Sequence, residues 1–364
     1  MNCKYKDGLG LIVMDNCYRL GEKIDNNLRL KRNEEKSFII NTEIVRFDNG
    51  EGKVVLKDSV RDKDIYILSD IGNYSETYNM YGFTNHKSPD DHFQDIKRVI
   101  SSISNQADRI TVVMPLLYES RQHKKRGRES LDCAFSLQEL QNLGVNTIVT
   151  FDVHDPNIQN AVPTGMSFEN FYPTDTILKE FIINEDFNLS ELIFISPDVG
   201  AMDRVKYYAN VFGSDVGMFY KRRDLSKIVD GKNPVVEHVY LGAPVKGKIA
   251  IVVDDMIASG GSMIDVASSL DDMGVKRVFL ISTFSMFTKG VDVFKKAYIS
   301  KKFEKLYSTN LTYSNPEVME QEWFCQVDCS NYVSDVINTL NMSESISNLR
   351  SRNSEILAMI NNKK

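Results

Sequence analysis

The sequence predicts an α/β protein built from two domains, each a mainly parallel sheet flanked by helices. Short apolar runs rich in β-branched residues alternate with amphipathic stretches along most of the chain, the pattern of parallel strands joined by helices. The alternation occurs once before and once after Pro173. At 364 residues the chain has length for two domains of roughly 100–200 residues each.

In the first half the strand-like runs are residues 65–68, 110–114 and 147–151, with helical patterns at 93–103 and 135–143. In the second half they are 192–195, 216–219, 249–253 and 275–281. Residues 161–173 carry Pro and Gly without a clear period and mark the candidate boundary, giving domains 1–170 and 171–364. The polar tract 342–364 reads as a surface helix with a fraying end.

A net charge of −6 and a pI near 5.6 disfavour a nucleic-acid partner, which calls for a basic face. The five scattered cysteines fit a reducing compartment, not a disulfide scaffold. Residues 323–327 read as a strand, which makes Cys325 and Cys329 core thiols and not metal ligands. The first apolar run, 9–14, is too short for a signal peptide, and nothing approaches a membrane span, so a soluble cytoplasmic protein is expected.

The chemistry gathers where strands end. After the apolar run 248–253 come Asp254 and Asp255, then Ala258, Ser259, Gly260, Gly261 and Ser262, then Met263, Val266, Ala267 and Leu270 at helical spacing. Ligands of open α/β sheets bind at the carboxyl ends of strands. Two glycines let the backbone bend and approach a ligand. Two hydroxyls and the unpaired N–H groups of a helix start form an anion site, and two carboxylates suit ribose hydroxyls or a metal.

Other strand ends carry further polar residues. Arg121, Gln122, His123, Lys124, Lys125, Arg126 and Arg128 form a loop whose field would attract a polyphosphate, although such a run is also an ordinary solvated loop. His154 follows run 147–151, Asp198 follows 192–195, and Lys221-Arg222-Arg223 follows 216–219. The Asn-Gly pair in Phe47-Asp48-Asn49-Gly50-Glu51 signals a surface turn.

The stretch 254–262 resembles the PRPP-binding loop shared by type I phosphoribosyltransferases and ribose-phosphate pyrophosphokinases (PRPP synthetases). The remaining motifs are similar to the pyrophosphokinases. Tyr118…Arg121-Gln122…Lys124-Lys125 resembles their ATP-binding loop; Asp152-Val153-His154 and Ser196-Pro197-Asp198-Val199-Gly200 resemble their magnesium-binding stretches. Lys221-Arg222-Arg223 resembles their K-R-R triplet, and 46–51 the turn that reaches adenine in a neighbouring subunit.

The resemblance implies two phosphoribosyltransferase type I-like domains and transfer of the diphosphoryl group of Mg-ATP to ribose 5-phosphate, giving PRPP and AMP for nucleotide biosynthesis. It implies ATP binding by Phe47, Asn49, Gly50, Glu51, Arg121, Gln122 and His123, and Mg²⁺ binding by His154 and Asp198. Ribose 5-phosphate falls to Arg223, Asp254, Asp255, Ala258, Ser259, Gly260, Gly261 and Ser262, and transition-state charge to Lys221 and Arg223. It further implies a homodimer or homohexamer with ATP sites shared between subunits.

The chain departs from that pattern at Ala258 and His123, where the family commonly has aspartate, and at Asn49, where it has an acid. Serines replace the loop threonines and keep the hydroxyls. Three alternatives stay open: a phosphoribosyltransferase, a non-catalytic regulatory homologue, and the same reaction on another sugar phosphate.

Overall fold

The computed structural model describes residues 8–103, 106–125, 127–223, 235–350 and 353–362, with the backbone alone for Lys221–Arg223, 235–238, Asn353, Ser354 and Asn362. The chain clusters into two compact units. The first holds Met1–Pro173, Asn310–Tyr313 and Asp328–Ser351; the second holds Thr174–Thr309, Ser314–Val327 and Arg352–Lys364.

The first unit begins with β1 (Leu9–Val13) and α1 (Tyr18–Arg32), then a hairpin of β2 (Thr42–Arg46) and β3 (Gly52–Leu56). After β4 (Asp64–Leu68) comes a second hairpin, β5 (Thr77–Met80) and β6 (Phe83–His86), then α2 (Pro89–Ile103). The unit continues through β7 (Arg109–Val113), α3 (Asp132–Asn142), β8 (Thr147–Phe151) and β9 (Ser167–Phe171). Its main sheet runs β1-β4-β7-β8-β9, every neighbouring pair parallel. β4 is buried along its whole length. Its Asp64 is sustained there by Arg109, Tyr66 and Asn341, because a buried carboxylate needs charged or hydrogen-bonding partners.

The second unit runs α4 (Thr174–Asn184), β10 (Leu192–Ser196), α5 (Met202–Phe212), β11 (Asp215–Arg223), β12 (Val235–Gly242), β13 (Ile249–Ile257) and α6 (Gly261–Asp272). It continues with β14 (Arg277–Ser285), α7 (Asp292–Ile299), β15 (Lys305–Thr309), α8 (Pro316–Met319) and β16 (Phe324–Val327). Then α9 (Ser330–Asn341) and α10 (Ser347–Arg350) belong to the first unit, and α11 (Asn353–Asn362) to the second. The sheet order is β12-β11-β10-β13-β14-β15-β16, with only β12 antiparallel to its neighbour. Its core packs Ile195, Val252, Leu280 and Leu306 with Phe294 and Trp323.

The structure differs from the sequence reading in several places. Residues 161–173 contain β9, an edge strand whose Phe171 is buried against the neighbouring strand, so this stretch is part of the first sheet. The second half is interrupted, because Asn310–Tyr313 and Asp328–Ser351 cluster with the first unit. In the tract 342–364, residues 347–350 and 353–362 are helical, and α11 is not a wholly exposed surface helix, since it buries Ile356 and Ile360. The hairpin β5–β6 was not anticipated, because its alternation is confined to one four-residue strand, exposed Thr77 and Asn79 against half-buried Tyr78 and Met80, while β6 is mostly exposed. Among the described residues no helix is long and apolar enough to cross a membrane.

Candidate active site

In the second unit, β11 lies on one side of β10 and β13 on the other, so successive connections leave β10 in opposite directions. A doubly wound sheet opens a crevice at the carboxyl ends of such strands. Asp198 follows β10 there, and Asp254 to Ser262 sit at the end of β13.

Strand β13 continues through the acid pair to Ile257, further than its apolar run foretold, because Asp254 pairs with Ser282 and Met256 with Phe284 of β14. Asp255 is 3 % exposed, with Arg204 Nη1 3.9 Å from its Oδ1. The Asp255 N–H donates to Asp254 Oδ1 at 2.9 Å. Burial, then the Asp255 charge and its hydrogen bond, hold the Asp254 carboxyl well above the usual carboxylate range; Arg204 acts in the opposite sense, and Asp198 adds to the rise. Arg204 was not anticipated in the sequence: it stands on the first turns of α5, eight positions past the end of β10, with no motif around it.

The loop itself is brief. The Met286 and Thr288 N–H groups donate to the carbonyls of Ile257 and Ala258, which fixes its first half. Gly260 caps α6 with φ +82, a left-handed conformation that favours glycine. A Cβ on Gly260 would strike the ring of Phe294, whereas one on Gly261 would meet nothing within 4 Å. Helix α6 starts at Gly261, its N-cap Gly260 carries no side chain, and Ser262 is exposed on its first turn. Open space at a helix start is what an anionic group needs.

Asp198 is exposed, and its Oδ1 accepts the N–H groups of Gly200 and Ala201 at 2.8 and 3.1 Å. The Ser196 hydroxyl donates to the Asp198 carbonyl at 2.6 Å and fixes the turn. Lys221 and Arg223 lie at the end of β11, beyond the Ser196–Met218 register pair; their side chains are outside the described residues.

The remaining candidates lie in the first unit. Phe47, Asn49, Gly50 and Glu51 form the turn of the β2–β3 hairpin, with φ +89 at Gly50. Asn49 shapes it by accepting the Glu51 N–H at 3.1 Å and donating to the Glu51 carboxylate at 2.9 Å. Arg121 is exposed in the loop after β7. Gln122 donates to the Ser130 carbonyl at 2.8 Å, closing the base of that loop, and Arg126 is outside the described residues. Tyr118 roots it on α2, stacking on Phe93 at 4.3 Å and donating to Asp90 at 2.7 Å.

His123 and His154 face each other with ring centroids 5.6 Å apart. His123 Nε2 comes within 2.9 Å of Asp155 Oδ2, though not aligned for a hydrogen bond. Partial burial pushes Asp155 up, but the hydrogen bond from the Asn157 N–H and the nearby His123 prevail and leave its carboxyl below the usual range. Among the described residues no cluster of three or more His, Cys, Asp or Glu is arranged to hold a metal by itself. Magnesium takes only one or two protein carboxylates when substrate phosphates and water complete its shell, and the exposed carboxylate of Asp198 is of that kind.

Residues 9–144 match the family model for the N-terminal domain of ribose phosphate pyrophosphokinase, and residues 177–312 match the phosphoribosyl transferase domain. The chain belongs to the ribose-phosphate pyrophosphokinase family. Ribose-phosphate pyrophosphokinase 2 of Schizosaccharomyces pombe is 27 % identical over 84 % of this chain and 87 % of its own. The ribose-phosphate pyrophosphokinase of Mycoplasmopsis pulmonis is 25 % identical over 93 % of this chain and 95 % of its own. In fold, the crystal structure of phosphoribosylpyrophosphate synthetase from Mycobacterium smegmatis superposes with a TM-score of 0.75 over 92 % of this chain and 99 % of its own, at 19 % identity. The chain is an enzyme of the ribose-phosphate pyrophosphokinase type, and both its sheets are of the mainly parallel, helix-flanked kind foreseen in the sequence.

Proposed function

We propose that the protein transfers the β,γ-diphosphoryl group of Mg-ATP to the anomeric hydroxyl of ribose 5-phosphate, giving PRPP and AMP. The observation that carries this is the end of β13: the acid pair Asp254 and Asp255, then the start of α6 with open space beside Gly261. The 5-phosphate takes the N–H groups and hydroxyls of Ser259 to Ser262, with Ala258 lining the loop. Asp254 and Asp255 accept the ribose hydroxyls. ATP takes Arg121, Gln122 and His123, with the Phe47 to Glu51 turn for its purine.

The anomeric oxygen attacks the β-phosphorus, a new O–P bond forms, the bridging P–O bond to AMP breaks, and the hydroxyl proton passes to solvent. Lys221 and Arg223 offset the charge spread over the phosphoryl oxygens, so positioning and electrostatics do most of the catalysis. His154 and Asp198 would hold Mg²⁺, which neutralises polyphosphate charge when bound. A homodimer or homohexamer with shared ATP sites and a cytoplasmic setting complete the reading; the four described cysteines are free thiols, as a reducing compartment requires.

The test is AMP release from Mg-ATP dependent on ribose 5-phosphate. Base-dependent consumption of PRPP without AMP formation would instead mark a phosphoribosyltransferase. Binding to an active synthetase without turnover would mark a regulatory homologue. Ala258, which removes a carboxylate from the sugar loop, favours one second reading: the same transfer to another sugar phosphate. Turnover compared across phosphorylated sugars separates the two.

A further inference from the structure

The two hairpins of the first unit are fastened together at both ends. At their roots, the buried Asp95 carboxylate takes Arg46 from the end of β2 at 3.1 Å, Lys87 from just after β6 at 3.4 Å and Arg98 of α2 at 2.6 Å. At their tips, the Tyr81 N–H donates to the Asp48 carbonyl at 2.9 Å, and Met80 lies against Gly50. The turn Phe47 to Glu51 therefore rests on the tip of β5–β6. Tyr81 and Gly82 form a two-residue loop with φ +49 and +81, the pattern of a type I′ turn. Asn-Gly is the usual choice there, and a bulky side chain at positive φ is strained. The strain has no packing reward, because Tyr81 is 75 % exposed. Phe47 is also exposed on the neighbouring turn, at 44 %.

We infer that Tyr81 is a purine-stacking residue, held beside Phe47 to bind the base of the nucleotide substrate. This rests on the proposed assignment of the Phe47 to Glu51 turn to ATP. A flat ring placed at an energetic cost on a rigid tip, with its face in water, is suited to stacking a base. The hydrogen bond to Asp48 sets the distance between the two rings' anchors, so the second hairpin adds an aromatic wall to the first.

Tyr81→Asn tests this, because asparagine suits the turn and removes the ring; Tyr81→Phe keeps the ring. Steady-state kinetics of the full chain should show KM for ATP raised about tenfold in Tyr81→Asn. KM for ribose 5-phosphate should be unchanged, Tm should not fall and should rise slightly as the turn strain is relieved, and Tyr81→Phe should behave as wild type. Wild-type KM for ATP in Tyr81→Asn would overturn the inference. So would a change in oligomeric mass with that KM unaltered, which would assign the ring to a subunit contact. Calorimetric binding of Mg-ATP to wild type and Tyr81→Asn carries the same comparison if no PRPP forms. A binding wild type that makes no PRPP sinks the proposed reaction alone, whereas absence of ATP binding sinks both.

Discussion

The ring of Phe294 fills the space that a Cβ on Gly260 would need, and Gly260 itself sits at φ +82. Its neighbour Gly261 faces open space. Two adjacent glycines therefore serve different ends, one for packing and one for access.

Gly260→Ala should destabilise the fold by about 1–3 kcal/mol, from overpacking and left-handed strain together. Gly261→Ala should leave Tm unchanged but raise KM for ribose 5-phosphate. Thermal melts and steady-state kinetics of both variants check this pair; an unaltered KM in Gly261→Ala would place the phosphate elsewhere.

Asp254→Asn should gain stability while losing activity. Burial and the Asp255 charge raise the folded-state pKa of Asp254, so the folded protein holds that proton more tightly than the unfolded chain. Its stabilising contribution is present below the ordinary value of 3.8 and lost as pH rises through the raised one. Above the ordinary carboxylate range the raised carboxyl costs the fold stability, and the amide removes that cost. We expect a higher Tm at pH 7 and a kcat/KM lower by about 10–100-fold, since a buried ribose contact is lost.

Asp70 should give the first unit a pH dependence of its own. Burial pushes its carboxyl up to about 7, despite hydrogen bonds from the Tyr313 N–H, the Thr312 hydroxyl and the Gly72 N–H. The folded pKa is again raised, so this contribution fades as pH climbs from about 4 through about 7. Tm measured across that range should fall more in the wild type than in Asp70→Asn. Parallel curves would refute the assignment.

Asp95→Ala should be among the most damaging changes in the first unit. It takes the shared carboxylate from Arg46 and Lys87, both nearly buried, and leaves Arg46 with Asp91 at 3.4 Å and Lys87 with Glu76 at 3.2 Å. Removing one side of a buried ionic cluster costs about 3–5 kcal/mol, which denaturant titration would read directly. A loss under about 1 kcal/mol would mean the hairpins stand without the cluster.

Much of this was legible in the sequence, for identifiable reasons. Buried parallel strands are continuous apolar runs, so 147–151 emerged with its bounds intact as β8. The glycines and hydroxyls near 260 stand out because a helix start that receives an anion needs them in consecutive positions. Arg204 was hidden because its role depends on α5 packing beside β13, a long-range relation without a local pattern. The ends of β13 and β14 were missed because Asp254, Asp255, Ser282 and Ser285 break the apolar run while the ladder continues. The β5–β6 hairpin was missed for the opposite reason: it is held by an ionic root and one backbone hydrogen bond, with almost no apolar pattern of its own.

The return of Asp328–Ser351 to the first unit has a practical consequence for dividing the gene. A fragment ending at Pro173 would lack α9, and the flank of α1 that it covers would lose the partners of Lys23, Arg32 and Asn27. Neither half, expressed alone from a single cut, would carry its full set of elements. A viable split would have to rejoin several segments on each side, because Asn310–Tyr313 of the first unit interrupts the second and α11 of the second follows the last segment of the first.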